Sequence, residues 1–422
     1  MSTDRKKKMP IMTPKVIRCS FCEDQGTEKN PLIEGKTGGS SYICTECIET
    51  LHRMVQSHIE KTGGGFKGSP TPQAIYDYLN QYVIGQSQAK KALAVAVFNH
   101  YKRLLHVVAR KRGEVEIDKS NIMLIGGTGT GKTLLCKTLA QRLQVPIAIG
   151  DATTLTEAGY VGEDVENLLL KLLRAADNKV EDAERGIIVI DEIDKIRKTG
   201  ANVSITRDVG GEGVQQSLLK MIEGTTCNVP PNGGRKHPEQ TYIPMNTTNI
   251  LFIVSGSFNG LTDIIAKRLG RGSLGFHADQ KTDDTNELLR QVIEEDLIEF
   301  GIIPELIGRL PVIVTLDDLS EDQMMEIITQ PKNAIVKQYQ RMVELAKDGS
   351  SLSFTETALR QIVKKAIEKG TGARALRSIF EKFMIDIMFQ IPEQSVANYL
   401  VDESVVNGSR SIFDVVNIEA AA

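Results

Sequence analysis

The stretch Gly126-Gly127-Thr128-Gly129-Thr130-Gly131-Lys132-Thr133 fits the pattern G-x-x-x-x-G-K-[ST], and it leaves few folds open to the chain. An apolar run over 121–125 precedes it and a helical pattern over 132–143 follows, the strand–loop–helix setting in which such a loop cradles phosphate. Its glycines let backbone N–H groups close around phosphate oxygens, and the helix start adds positive dipole. Lys132 is placed to reach the β- and γ-phosphates, and the Thr133 hydroxyl to bind Mg²⁺. The ligand expected is ATP with Mg²⁺.

A second motif completes that site. In Ile187-Ile188-Val189-Ile190-Asp191-Glu192 a buried apolar strand delivers two carboxylates at its C-terminal end, where open α/β sheets bind ligands. Asp191 is expected in the Mg²⁺ shell, and Glu192 is expected to orient and polarise the attacking water. Two solvated acids capping a strand are the plainer alternative, and the upstream phosphate loop weighs against it.

Short apolar runs at 121–125, 146–149, 187–190, 249–254 and 312–316 alternate with helical stretches. This alternation predicts an α/β fold with a parallel sheet covered by helices. Val165, Leu168, Leu169, Leu172 and Leu173 form one apolar helix face. From 320 to about 390 the pattern is mostly helical, and a separate smaller domain is expected there. Near the other end, Gly63, Gly64, Gly65, Gly68, Ser69, Pro70 and Pro72 read as a flexible linker. The expected domains are a metal-binding module at 1–62, a linker at 63–71, a large α/β ATPase domain at 72–316 and a small helical domain at 317–422.

Cys19, Cys22, Cys44 and Cys47 form two Cys-x-x-Cys pairs with 21 residues between them. Two such knuckles supply the four thiolates of a closed tetrahedral Zn²⁺ site, which would fold a module too small to hold a core alone. An iron site of the same four thiolates stays open, and disulfide pairing is disfavoured without a secretion signal. The N-terminal Asp4, Arg5, Lys6, Lys7 and Lys8 have no apolar segment after them and read as a solvated tail.

With 41% apolar and 25% charged residues among 422, the chain has the composition of an ordinary globular protein. Its apolar runs fall short of the roughly 18 residues needed to span a bilayer. The net charge of −3 supplies no global basic field for nucleic acid. Arg309, in Gly308-Arg309-Leu310-Pro311, and Arg374, in Gly372-Ala373-Arg374, are candidates to sense phosphate, since a guanidinium forks onto phosphate oxygens. Surface ion pairing is the alternative for both.

Taken together, the Cys₄ module, Tyr82-Val83-Ile84-Gly85-Gln86, the phosphate loop, Gly159-Tyr160-Val161-Gly162-Glu163, the Ile187–Ile196 run, Arg235-Lys236-His237, Gly308–Pro311 and Thr371–Arg377 resemble the ClpX family of AAA+ protein-unfolding ATPases. The resemblance covers residues 15–408. It implies a homo-hexameric ring that unfolds tagged proteins with ATP and threads them into a peptidase, ClpP, with adaptors as further partners. Remodelling of proteins without the peptidase, and a bacterial cytoplasmic home, are implied as well. The same resemblance puts Val83, Ile84 and Leu134 beside the nucleotide with the phosphate loop, Arg309 at a neighbouring subunit's nucleotide, and Arg374 at the nucleotide from the small domain. Tyr160 and Val161 match the pair that lines the axial pore, with Arg207, Arg235, Lys236 and His237 as further pore residues. Leu274-Gly275-Phe276 matches the peptidase-docking loop, with Leu in place of the commoner Ile. Two departures stand out: Gly127 replaces a common Pro, and Ser255-Gly256-Ser257 stands where a polar sensor is often found, so no catalytic role is assigned there. A nucleic-acid motor and an ATP-binding adaptor are the competing readings. The weak net acidity and the intact Asp191-Glu192 pair respectively count against them.

Overall fold

The computed structural model describes residues 17–28, 30–35, 41–62, 71–109, 115, 117–143, 145–156, 163–198, 211–231, 242–270, 281–395 and 398–414. Tyr160, Val161, Arg207, Arg235, Lys236, His237, Leu274, Gly275 and Phe276 lie outside these residues, as do the basic N-terminal segment and most of the glycine-rich linker. The chain forms two compact units, Met1–Lys67 and Gly68–Ala422.

The first unit is small. Strands Leu32–Glu34 and Tyr42–Cys44 pair antiparallel, and the helix Thr45–Thr62 follows directly. Among its described residues the apolar side chains do not close a core: Phe21, Ile33 and Met54 are all exposed. What binds this unit together must come from its cysteines.

The second unit is built on a five-stranded sheet: β1 (Ile122–Ile125), β2 (Ile147–Asp151), β3 (Ile187–Asp191), β4 (Leu251–Gly256) and β5 (Val312–Thr315). The order is β5-β1-β4-β3-β2, and every pairing is parallel. β1 and β4 are buried along their whole length, so continuous apolar runs, Ile122–Ile125 and Leu251–Val254, suit them better than an alternating pattern. Because the strands are parallel, all their C-terminal ends lie along one edge. Register brings the end of β4 beside both neighbours: Val254 pairs with Ile190 of β3, and Gly256 with Ile125 of β1. The phosphate loop, Asp191 and Ser255 are therefore assembled by the sheet itself.

On one side the helix Asn167–Ala175 buries Leu168, Leu169, Leu172 and Leu173 against the sheet core, as their spacing predicts. A second hydrophobic cluster gathers helices Glu321–Thr329, Ile335–Ala346, Glu356–Glu368 and Ala373–Gln390 around Phe380 and Tyr399. Ser320 opens the first of these with a reciprocal capping box to Gln323, and Thr355 caps the third. This region also holds a parallel strand pair, Ser351–Phe354 with Asn398–Val401, and the large core carries an antiparallel pair, Thr226–Val229 with Ile243–Asn246. The helical pattern did not disclose either pair. Among the described residues, no helix is long and apolar enough to cross a membrane.

Candidate nucleotide site and metal centre

The loop between β1 and the helix Lys132–Leu143 keeps its shape through backbone conformations that suit glycine. Gly129 and Gly131 have φ of +83° and +102°. A Cβ on Gly129 would sit 2.6 Å from the Thr371 carbonyl oxygen, and one on Gly372 would sit 2.8 Å from the Thr128 carbonyl oxygen. The phosphate loop and the turn ahead of Arg374 thus touch backbone to backbone. That contact brings the helix Ala373–Gln390 to the site.

Beside the loop lies a cavity of about 510 Å³ whose walls include Lys132, Thr133, Asp191, Glu192 and Arg374. Lys132 Nζ donates to the carbonyls of Gly126 and Gly127 at 2.6 and 2.8 Å. Burial lowers its pKa, while the nearby Asp191 and Asp194 carboxylates act in the opposite direction. Asp191 is fixed from both sides. Its Oδ2 accepts from Thr133 Oγ1 at 2.6 Å, and its Oδ1 accepts from Ser255 Oγ at 2.7 Å and from the Glu192 N–H at 3.0 Å. A hydroxyl and a carboxylate oxygen held together next to a phosphate loop are hard oxygen donors of the kind Mg²⁺ takes alongside phosphates and waters, so the residues present fit ATP with Mg²⁺. Glu192 has φ 58° and ψ 33°, a left-handed conformation that costs a non-glycine residue about 1–2 kcal/mol.

The remaining expected residues divide. Val83 is buried and its side chain faces Gly131, Ile84 is half-buried next to it, and Leu134 lines the cavity while 42% exposed. Arg374 is in the cavity wall. Arg309 is not. Its Nε and Nη2 both donate to Glu223 Oε1, at 3.2 and 3.0 Å, and its side chain is 56% exposed.

Several polar residues at the site received no role from the sequence. Gln86 donates to the carbonyls of Thr130 and Asp317 and accepts from the Asp317 N–H, tying the Tyr82–Gln86 turn to the phosphate loop and to the exit of β5. Lys90 is buried and donates to the Val83 carbonyl at 2.6 Å, and burial draws its pKa down to about 8. Ser255 and Ser257 bond two different carboxylates, Asp191 and Asp194. The apolar strand ending in Ser255 was the available signal, since register alone places its terminus beside that of β3.

In the first unit the four Sγ atoms of Cys19, Cys22, Cys44 and Cys47 lie within 4.8 Å of one another, with Cys22 and Cys44 at 3.7 Å. A tetrahedral ion with Zn–S bonds of about 2.3 Å requires sulfurs roughly 3.8 Å apart, and the cluster fits it. N–H groups of Phe21 and Cys44 point at Cys19 Sγ, both at 3.4 Å. Burial opposes ionisation of Cys19, but hydrogen bonds from the Cys22, Phe21 and Cys44 backbone, with the Cys22 thiol, outweigh it and bring the thiol to about 6.

Fold and site define a P-loop ATPase of the AAA+ class with an appended Cys₄ zinc module. Residues 117–313 match the AAA domain (Cdc48 subfamily), 17–57 the ClpX C4-type zinc finger, and 319–400 the C-terminal, D2-small domain, of ClpB protein. A relative from Treponema denticola, the ATP-dependent Clp protease ATP-binding subunit ClpX, is 48% identical over 402 residues, which cover 93% of this chain and 94% of the relative. The chain belongs to the ClpX family. It is an AAA+ ATPase of the protein-unfolding kind, using ATP, Mg²⁺ and Zn²⁺.

Proposed function

We propose that this chain is one subunit of a homo-hexameric ring that grips tagged or unfolded proteins, unfolds them at the expense of ATP and passes them to a ClpP-type peptidase. The carrying observation is the division of the two arginines. Arg374 lines the cavity of its own chain, whereas Arg309 lies outside it with a half-exposed guanidinium. An arginine able to stabilise transferred phosphoryl charge, yet remote from its own phosphate loop, needs a neighbour to bring it a nucleotide. The relative's name, an ATP-binding subunit of an ATP-dependent protease, supports the peptidase partnership.

In this reading Lys132 and the loop N–H groups bind the phosphates, and Thr133 and Asp191 hold Mg²⁺, which would neutralise charge on the phosphoryl oxygens. Glu192 orients and polarises the attacking water, while Arg374 contacts the phosphates across the Gly129–Gly372 junction. Val83, Ile84 and Leu134 flank the base and sugar. Tyr160 and Val161 grip the substrate chain, with Arg207, Arg235, Lys236 and His237 around the pore, and Leu274, Gly275 and Phe276 dock on the peptidase. Cys19, Cys22, Cys44 and Cys47 hold Zn²⁺ in a 1–62 module that receives substrates or adaptors, joined by a 63–71 linker to the 72–316 and 317–422 ATPase domains. The setting is a bacterial cytoplasm.

Two variants test the division of labour. Tyr160→Ala is expected to keep ATP turnover and lose unfolding of a stable tagged protein. Deletion of Phe276 is expected to keep both and lose delivery to ClpP. Unchanged unfolding by Tyr160→Ala, or unchanged degradation after loss of Phe276, would refute the respective roles.

A further inference from the structure

The Ser255-Gly256-Ser257 triplet at the end of β4 carries two serines that face two different carboxylates. Ser255 serves Asp191. Ser257 serves Asp194, whose Oδ1 accepts from the Ser257 N–H and whose Oδ2 accepts from Ser257 Oγ, both at 3.0 Å. Asp194 is only 4% exposed, and Lys195 Nζ lies 3.4 Å from its Oδ2. Between the serines, Gly256 leaves room for the carboxylate: a Cβ there would meet Asp194 Oδ1 at 2.6 Å and the Phe258 ring at 2.7 Å. The buried charge has been given a fitted seat.

Strain brackets this link on both sides. Glu192, two residues before Asp194, has φ 58°, and Phe258, one residue after Ser257, has φ 49°. A left-handed Phe is a conformational outlier that persists only where its surroundings over-determine it. Its ring is buried and packs against Phe300, tilted by 48° with 5.2 Å between centroids. At Glu192 the local bonds come from the residue's own strand end and turn: its N–H goes to Asp191 Oδ1, and its carbonyl accepts from the Lys195 N–H. Two side-chain links tie this segment to the end of β4: Ser255 on Asp191 just ahead of the turn, and the Asp194–Ser257 clasp within it.

We propose that Asp194 is a positioning residue for ATP hydrolysis: through its clasp on Ser257 it holds the left-handed turn that presents the Glu192 carboxylate to the cavity. Asp194 is not among the residues that line the cavity, whereas its partner Ser257 is. The proposal rests on the reading of Glu192 as the group that activates water.

The test uses the full chain and steady-state ATP hydrolysis, with binding of ADP measured separately. Asp194→Ala is expected to lower kcat on the order of 10²-fold, the scale of an ångström-sized displacement of a catalytic group, while KM for ATP and ADP affinity stay within about twofold. Asp194→Asn, which keeps an acceptor for the Ser257 N–H, is expected to recover much of the loss. Ser257→Ala, which removes one bond and leaves the backbone one, should show a smaller drop in kcat alone and decides the matter if Asp194→Ala does not fold. Combined with Glu192→Gln, Asp194→Ala should add nothing further, because its effect runs through Glu192. A purely structural role would instead weaken ADP binding together with kcat, and would add to the Glu192→Gln defect; either result overturns the proposal. So does wild-type kcat in both Asp194→Ala and Ser257→Ala beside an inactive Glu192→Gln. Normal turnover by Glu192→Gln would remove the underlying assignment, and the proposal with it.

Discussion

Asp191 has its two oxygens assigned to different tasks: Oδ2 meets Thr133, and Oδ1 is anchored by Ser255 and a backbone N–H. A carboxylate held on one side presents the other in a fixed direction, which matters for an ion as exacting in geometry as Mg²⁺. Ser255→Ala frees that side. Turnover at limiting Mg²⁺ is expected to fall by about tenfold or more, with recovery as Mg²⁺ is raised, measured by titrating the metal at saturating ATP. An unchanged Mg²⁺ requirement would mean that Ser255 only fills space. Asp191 and Glu192 were legible in the sequence because a purely apolar strand ends on them. Ser255 and Asp194 were not, because a serine hydroxyl has no spacing signature and its partner is 64 residues away, brought near only by the β3–β4 register.

At the level of elements, the strands were readable and their accessories were not. β1 is Ile-Met-Leu-Ile, and β3 and β4 open with the apolar runs Ile187–Ile190 and Leu251–Val254, which suit a strand buried on both faces. The Thr226–Val229 and Ile243–Asn246 pair is half-exposed and carries Pro244, and Ser351–Phe354 finds its partner 47 residues along the chain, so neither has a local signature. The helix Ser87–Ala109 carries a costly residue that no local pattern announces. His100 is buried, and among the described residues neither ring nitrogen has a hydrogen-bond partner. Burial, aided by the Arg103 and Lys119 charges, lowers its pKa from 6.5 to about 3. Its unfolded form binds a proton between these values and its folded form does not, so stability is full above pH 6.5 and declines as pH falls towards 3. The slope from this residue is at most about 1.4 kcal/mol per pH unit. His100→Leu is expected to flatten the fall in unfolding free energy between pH 6.5 and 4.5 relative to the parent chain, followed by urea denaturation. Parallel curves would show that His100 takes up its proton without unfolding.

The whole molecule joins two units with different sources of stability. Gly68–Ala422 has an extensive buried core, whereas Met1–Lys67 exposes Phe21, Ile33 and Met54 and gathers four thiols. Metal affinity is therefore folding energy for the small unit alone. Chelation is expected to release Zn²⁺ and open residues 17–62 to protease while ATP turnover by the remainder persists; loss of turnover in step with the metal would contradict this independence. The central claim is that ATP hydrolysis at the Lys132, Asp191 and Glu192 site drives protein unfolding. Its most direct test is the fluorescence of a stable, degron-tagged fluorescent protein mixed with this chain, ATP and a cognate ClpP, with Glu192→Gln as control. The expected result is a fluorescence loss that requires ATP, ClpP and Glu192. Fluorescence that persists through active ATP turnover, with turnover stimulated by DNA instead of by protein substrate, would contradict the account.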